Sequence, residues 1–150
     1  MKYQQEIILK RPRKEVVEKF SNPENMKHWQ EGFIYMKPIN GELGEEGSQN
    51  LLKYNMGKRE IEMTETILKN NLPEVYSATY EAKGVYNYQV NRFIKTSETE
   101  TEWITENEFT FSGFMKLFGW FMPGAFKKQS YKYMQDFKAF VEDGKSVLKK

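Results

Sequence analysis

Between residues 32 and 111 the sequence consists of strand-like runs separated by short turn signals, and this spacing limits the fold more than any other feature. The turn signals, rich in Gly, Asn, Pro and Ser, lie at 41–47, 55–58, 70–73, 82–84 and 96–100. The runs between them predict strands at about 32–39, 47–56, 58–69, 74–82, 84–95 and 101–111. Consecutive hairpins of this kind favour an antiparallel meander.

The last of these strands shows the clearest two-residue alternation. One face carries Trp103, Thr105, Asn107, Phe109 and Phe111. The opposite face carries Glu100, Glu102, Glu106 and Glu108. This pattern indicates a sheet with one face in water and the other face covered. The covering element must come from the ends of the chain.

The first thirty residues predict a strand followed by two short helices. The strand occupies residues 3–10, and Pro12 then suits the first turn of a helix. Asn22 is placed to cap a second helix, with Pro23 at its first position. That helix is short and reaches about Trp29.

The C-terminal part of the chain supplies the element that covers the sheet. Ser112 is expected to cap a helix that continues to Met122, and Pro123–Gly124 is expected to kink or break it. Apolar residues at helical spacing continue over 125–141. The sequence therefore predicts one α+β domain over residues 1–150, in which a long final helix lies across a curved, seven-stranded antiparallel sheet.

Four segments, taken in order, resemble the helix-grip fold. They are Ile7–Phe20, Met26–Trp29, the strand pair Arg92–Phe93 with Thr101–Ile104, and the closing helix Ala125–Val141. The fold is that of the START-related (SRPBCC) superfamily, which includes birch-pollen-allergen-like proteins and the polyketide cyclase and lipid-transport families. The resemblance covers essentially the whole chain and implies a cavity or cleft between sheet and helix. It implies no single activity, because members include ligand carriers, cyclases, aromatases and cochaperone-like domains.

Composition excludes several classes of function. The sequence has no cysteine and a single histidine, His28, which excludes thiolate and multi-histidine metal sites and cysteine nucleophiles, so no metal or cofactor is expected. A net charge of +2, from 23 basic and 21 acidic residues, is too balanced for phosphate-driven nucleic-acid binding. No run approaches the ~20 apolar residues of a membrane span. The N-terminus does not read as a signal peptide, so the cytoplasm is the expected compartment.

The resemblance places a ligand site on the concave face of the sheet. Aromatic and flexible methionine side chains there suit an irregular apolar ligand, and the alternative is that the same residues only fill the core. The candidate ligand-binding residues are Tyr54, Met56, Met63, Glu65, Asn87, Asn91, Trp103, Asn107, Phe109, Phe118, Met122, Phe126 and Tyr133.

Strand 84–95 admits two registers. One face carries Val85, Asn87, Gln89, Asn91 and Phe93. The other carries Tyr86, Tyr88, Val90, Arg92 and Ile94 and looks more apolar. We place the first face inward, because the resemblance implies an inward Phe93. Asn87 and Asn91 then join Asn107 and Glu65 in a polar cluster, which either orients a ligand's polar group or forms a hydrated core network.

Glu65 is the candidate catalytic residue. A carboxyl that faces a cavity and has a raised pKa serves as a general acid or base, with Tyr54 or Tyr133 assisting. The alternative is a structural ion pair with Arg59 or Arg92.

The segment Phe114–Phe126 is the most apolar stretch of the chain and is flanked by lysines. It is either a buried helix start or a gate that exposes aromatic side chains to a membrane surface or a partner. In the second interpretation Trp120 is the residue most expected to protrude, and Pro123–Gly124 is the hinge.

These observations favour a non-enzymatic protein that binds or transports a small hydrophobic or lipid-like molecule. One alternative is a polyketide cyclase- or aromatase-like enzyme that uses Glu65, and another is an interaction module with a filled core. An unpaired, inward Glu65 in an open cavity would favour the enzyme. A dry apolar cavity would favour the carrier, and a filled core the module.

Overall fold

A seven-stranded antiparallel sheet forms the body of the computed structural model, which describes residues 1–149. Its strands are β1 (Lys2–Leu9), β2 (Phe33–Asn40), β3 (Gln49–Met56), β4 (Arg59–Asn71), β5 (Val75–Ala82), β6 (Val85–Ser97) and β7 (Glu100–Phe111). The helices are α1 (Arg13–Ser21), α2 (Met26–Trp29), α3 (Met115–Phe121) and α4 (Pro123–Asp143), and a 3-10 turn, Pro23–Asn25, precedes α2.

The strand order is β1-β7-β6-β5-β4-β3-β2, so the meander predicted from the turn spacing is confirmed. The N-terminal strand closes it by pairing with β7, with Gln5 opposite Thr105 and Tyr3 opposite Asn107. Residues of β7 alternate between buried and more exposed, as the sequence pattern predicted. The curved sheet with a long C-terminal helix is the predicted α+β architecture.

The register chosen for β6 is also correct. Asn87, Asn91 and Phe93 are buried on the concave face, whereas Tyr86 and Ile94 are exposed on the other side. The more apolar face of this strand therefore points outward. The buried amides are tolerated because they hydrogen-bond to one another, as described below.

Two of the expected helix starts differ from the structure. Pro12 occupies the N-cap position of α1 rather than its first turn. Ser112 is not the cap of α3, because the helix begins later, at Met115, and its N-cap residue is Phe114, with no side-chain cap. The backbone N–H of Ser112 instead bonds to the carbonyl of Gly84 at 3.0 Å. The cap at Asn22 is confirmed, since its side chain accepts a hydrogen bond from the backbone N–H of Glu24 at 3.0 Å.

The break at Pro123 is confirmed and separates α3 from α4. Proline has no backbone N–H and fits the first turn of a helix, so it opens α4. Within residues 1–149, no helix combines the length and the hydropathy needed to span a bilayer.

The C-terminal half of α4 is held on the sheet by an aromatic cluster. The ring of Phe137, fully buried, lies 5.0 Å from Trp29 and 5.2 Å from Trp103 between centroids. Phe20 from α1 packs edge-on against Phe93 at 4.9 Å. Burial of large aromatic side chains is the main source of stability in a core of this kind.

We expect Phe137→Ala to lower the free energy of unfolding by about 3–5 kcal/mol, because it removes the ring that joins α4 to both tryptophans. Urea unfolding measures the change. Phe121→Ala is the matched control, because Phe121 is 75% exposed and its loss removes no core contact. Equal losses in the two variants would contradict this assignment of the core.

Candidate functional site

The concave face is closed at one end and open at the other. Residues that face the C-terminal half of α4, such as Leu9, Phe93 and Trp103, are buried. Towards the N-terminal half of α4 the facing side chains are only half-buried, so the helix covers this part of the concave face incompletely, and we call this part the cleft. From the sheet these are Ile61, Met63, Tyr76, Tyr80, Ala82, Val85, Gln89, Phe109 and Phe111, and from the helix Phe126, Gln129, Ser130 and Tyr133.

Aromatic rings form one wall of this cleft. Phe126, in the first turns of α4, lies 4.9 Å from Phe109 and 5.1 Å from Phe111 between ring centroids. Phe118 of α3 packs edge-on against Phe126 at 5.8 Å. Phe109 also stacks on Tyr3, whose hydroxyl lies 2.7 Å from the Ser130 Oγ and so ties β1 to α4. The wall is apolar and belongs to both the sheet and the helix.

The floor of the cleft is a chain of hydrogen-bonded amides on β6 and β7. Trp103 Nε1 donates to Asn91 Oδ1 at 3.0 Å, and Asn91 Nδ2 donates to Gln89 Oε1 at 3.1 Å. Gln89 Nε2 and Asn87 Nδ2 both donate to Asn107 Oδ1, at 3.0 and 3.1 Å. The network runs from the closed aromatic end to the open end and fixes the orientation of each amide.

Three buried polar atoms beside this network have no hydrogen-bond partner within residues 1–149. They are Asn107 Nδ2, Thr105 Oγ1 and Gln5 Oε1. Thr105 and Asn107 are each 3% exposed, and Gln5 lies directly opposite Thr105 on β1. The three atoms are buried, and Gln89, the half-buried cross-strand neighbour of Asn107, adjoins them on the side of the cleft. We call these three side chains the polar triad.

Glu65 on β4 faces the cleft and is 7% exposed. Its Oε1 accepts a hydrogen bond from Asn50 Nδ2 at 3.1 Å, and the Tyr80 hydroxyl donates a second one. Burial raises the pKa of the Glu65 carboxyl, although both hydrogen bonds act in the opposite direction. The carboxyl therefore keeps its proton to a higher pH than an exposed glutamate does.

The alternative interpretation of Glu65, an ion pair with Arg59 or Arg92, is wrong. Arg92 points to the outer face and pairs with Glu106 at 3.2 Å, and Arg59 lies at the exposed β3–β4 turn. Outward residues of β6 pair with outward residues of β7, so Arg92 cannot reach a carboxyl on the concave face. Amide and phenol groups hold Glu65 in place of a cation.

Tyr54 and Tyr133, expected to assist Glu65, make other hydrogen bonds. The Tyr54 hydroxyl donates to Gln30 Oε1 at 2.5 Å, and Tyr133 bonds to Gln129. Burial raises the pKa of Tyr133 to about 12 and that of Tyr54 well above its usual range. Tyr80, which the sequence analysis did not single out, is the tyrosine that contacts Glu65.

The structure brings together most of the predicted site residues. Met63, Glu65, Asn87, Asn107, Phe109, Phe126 and Tyr133 border the cleft or its floor, and Tyr54 is buried beside it. Asn91 and Trp103 belong to the closed, buried end. Met56, Phe118 and Met122 are 37%, 38% and 52% exposed, at the β3–β4 turn and around α3. His28 stacks on Phe140 near the closed end, not at the cleft opening.

Four polar residues of the site were not among the predicted site residues. Gln89 belongs to the amide network and Gln5 to the polar triad, whereas Asn50 and Tyr80 hydrogen-bond to Glu65. Alternation had already placed Gln89 on the inward face with Phe93, and it also places Gln5 with Ile7 and Asn50 with Leu52. Tyr80 had no such signal, since no face was assigned to strand 74–82.

The site resembles no metal centre. In the part of the chain that the structure describes, no group of three His, Asp or Glu side chains is placed to hold a metal ion. A depression of about 390 Å³ opens at the outer face of β1, β6 and β7, and its lining includes Tyr88, Glu108 and Asn107.

No protein-family model and no curated protein matches this chain. Solved structures do match. The Zhui aromatase/cyclase from Streptomyces sp. R1128 is 10% identical, with a TM-score of 0.78 over 98% of this chain and 99% of that one. Norcoclaurine synthase from Thalictrum flavum, in complex with dopamine and hydroxybenzaldehyde, is 16% identical, with a TM-score of 0.69 over 97% and 88%.

The di-domain ARO/CYC StfQ from the steffimycin biosynthetic pathway is 12% identical, with a TM-score of 0.76. The match covers 95% of this chain but 45% of that protein, so this chain spans less than half of its length. At these identities the comparisons establish the fold. The chain has the helix-grip fold, as its segment order predicted.

We expect the stability of the protein to depend on pH through Glu65. In the unfolded chain this carboxyl ionises near its usual value of 4.5, whereas its pKa in the folded state is raised. Glu65 therefore makes its full contribution to the free energy of unfolding below pH 4.5. This contribution is lost as the pH rises through the pKa that Glu65 has in the folded state. Urea unfolding of the wild type and Glu65→Gln, compared across pH 4 to 8, measures it.

The free energy of unfolding of Glu65→Gln minus that of the wild type should grow with pH and then level off. Glutamine keeps the oxygen that accepts from Asn50 and Tyr80 but cannot ionise. Glu62→Gln, on the exposed side of the same strand, controls for the loss of one negative charge. A difference for Glu65→Gln that is flat with pH, or that falls, would show that burial does not disfavour the charged form of Glu65.

Proposed function

We propose that this protein, acting as one domain over residues 1–150, binds a small molecule with an apolar body and a hydroxyl-type polar group. The ligand would lie in the cleft between the sheet and the N-terminal half of α4. The observation that carries the proposal is the polar triad, whose buried hydrogen-bonding atoms lack partners at the floor of an apolar cleft. Binding or transport is the role, and no chemical step is required.

The apolar body of the ligand fits the aromatic wall. The ring centroids of Phe109, Phe111 and Phe126 lie 4.9–6.0 Å from one another, and Met63 adds a flexible side chain across the sheet. Burying apolar ligand surface against such a wall contributes about 25 cal/mol per Å² before the entropic cost of association. The wall therefore supplies affinity but little discrimination between apolar ligands.

The polar triad supplies the discrimination. Asn107 Nδ2 is a donor, Gln5 Oε1 is an acceptor, and the Thr105 hydroxyl is both. A ligand hydroxyl can accept from the first and donate to the second. An unpaired buried polar atom costs about 1–3 kcal/mol, so a ligand that pairs these atoms binds more tightly than one that does not.

The solved neighbours support a ligand of this kind. Two are named as aromatase/cyclases, and a third holds dopamine and hydroxybenzaldehyde. Those descriptions belong to those proteins. For this chain they favour a compact aromatic or polycyclic ligand over a long acyl chain, in agreement with the ring-lined wall.

A second candidate function is proton transfer on the same ligand. The observation that favours it is the buried Glu65, whose raised pKa keeps a proton available and which the Tyr80 hydroxyl orients. Tyr80 lies directly across from Asn87 on β6, so Glu65 and the amide network belong to one continuous row. Mass analysis of a bound ligand before and after incubation separates the candidates, because a carrier returns it unchanged and a cyclase-like enzyme does not.

We expect the protein to bind 2-naphthol more tightly than naphthalene, by about 2- to 12-fold, the value of one net hydrogen bond. Thr105→Val should reduce this preference, because it removes a hydroxyl of the polar triad and keeps the shape of the side chain. The same variant should be no less stable than the wild type, since Thr105 Oγ1 has no partner in the folded chain. Equilibrium dialysis and urea unfolding measure the two quantities.

Thr110→Val is the matched control, because Thr110 is exposed on the opposite face of the same strand. It should leave the preference for 2-naphthol unchanged. The proposal fails if neither compound binds, or if the wild type and Thr105→Val bind both compounds equally well. A stability loss in Thr105→Val without any change in binding would instead assign the hydroxyl to the core.

A further inference from the structure

An exposed apolar patch surrounds α3 and has no role in the cleft. It consists of Phe114, Leu117, Trp120, Phe121 and Met122, which are 80%, 51%, 76%, 75% and 52% exposed. These residues are neighbours on one short helix and its ends. Large apolar side chains grouped in this way on a folded surface mark a contact with another apolar phase or partner.

The patch is not an unfinished part of the core, because other residues of the same segment already occupy the inner side. A Cβ atom at Gly119 would lie 2.5 Å from the ring of Phe111, so only glycine allows α3 to approach the end of β7 this closely. A Cβ atom at Gly84 would likewise lie 2.8 Å from the Met115 side chain. α3 is thus seated on the sheet through one side, and Trp120 and Phe121 stack on each other on the other side, at 5.7 Å.

The charges in the sequence on either side of the patch have one sign. From Phe109 to Gln135 the sequence contains four lysines and no aspartate or glutamate. Lys116 lies within the apolar segment, and Lys127 and Lys128 follow at the start of α4. The fourth, Lys132, is held by Asp136 at 2.6 Å and by Glu31 at 3.3 Å. Lysine beside exposed tryptophan and phenylalanine is the pattern of a helix that lies at a membrane interface.

We propose that the apolar patch docks on the surface of an anionic membrane. Trp120 and Phe121 enter the boundary between head groups and acyl chains, and Lys116, Lys127 and Lys128 meet the lipid phosphates. Charge complementarity selects this partner, since the flanks supply only cations to an apolar centre. Docking stands independently of the function proposed above. If both hold, an apolar ligand dissolved in the membrane reaches the cleft past Phe126, which borders the patch.

The fluorescence of the protein reports the contact directly. Trp29 and Trp103 are 5% and 4% exposed, whereas Trp120 is 76% exposed, so a change in emission on adding vesicles comes from Trp120. We expect a blue shift with phosphatidylcholine vesicles that contain about 30 mol% phosphatidylglycerol. The apparent affinity should be about tenfold weaker with pure phosphatidylcholine or in high salt.

Co-sedimentation with the same vesicles tests the residues. The double variant Trp120→Ser, Phe121→Ser should lose binding, and Lys127→Glu, Lys128→Glu should weaken it by about tenfold or more. Leu43→Ser is the matched control, because Leu43 is 63% exposed in a loop far along the chain from the patch and should have no effect.

Three results would overturn the proposal. The first is that the wild type does not sediment with vesicles, and the second is that it binds neutral and anionic vesicles equally well. The third is that the wild type binds no vesicles but forms a dimer in analytical ultracentrifugation, and that the Trp120→Ser, Phe121→Ser variant is a monomer. The last would assign the patch to a second copy of this chain. Loss of vesicle binding with unchanged 2-naphthol binding would leave the cleft proposal intact.

Discussion

The aromatic cluster around Phe137 is the interaction on which the rest of the structure depends. It joins α4 to Trp29 of the helical segment and to Trp103 of the sheet, at one end of the concave face. A single straight helix cannot fill the whole concavity of a curved sheet. Because the fully buried rings lie at the C-terminal half of α4, the other half stands over side chains that are only half-buried, and the cleft follows from this uneven packing.

The polar floor of that cleft has a cost in stability that the chain only partly offsets. Asn87, Gln89 and Asn91 pair with each other or with Asn107, so most of their desolvation is compensated by hydrogen bonds. The Thr105 hydroxyl and one amide hydrogen-bonding position of Asn107 are not compensated. Buried polar atoms without hydrogen-bond partners are expected at ligand-binding sites, because natural proteins give up some stability at such sites.

The sequence alone predicted the order of the secondary-structure elements and which face of β7 is buried. Alternation in β7 identified Thr105 and Asn107 as inward, because the opposite face carries Glu102, Glu106 and Glu108. The register of β6 needed the family resemblance, since the exposed Tyr86 and Tyr88 made the wrong face look more apolar. The composition of β6 alone predicts the wrong buried face, because its buried amides form hydrogen bonds with one another. A single sequence does not indicate which amides form these hydrogen bonds.

Cross-strand partners were the least predictable part for the same reason. Pairing Glu65 with an arginine was chemically reasonable, but the register places Tyr80 opposite it and sends Arg92 to the other face.

The central claim, that the cleft receives a ligand hydroxyl at the polar triad, is tested most directly by NMR of the Asn107 side-chain amide during titration with 2-naphthol. The account predicts a saturable shift of this resonance together with those of Gln89 and Phe126. Shifts confined to the outer face of the sheet or to α3, with Asn107 unmoved, would contradict it.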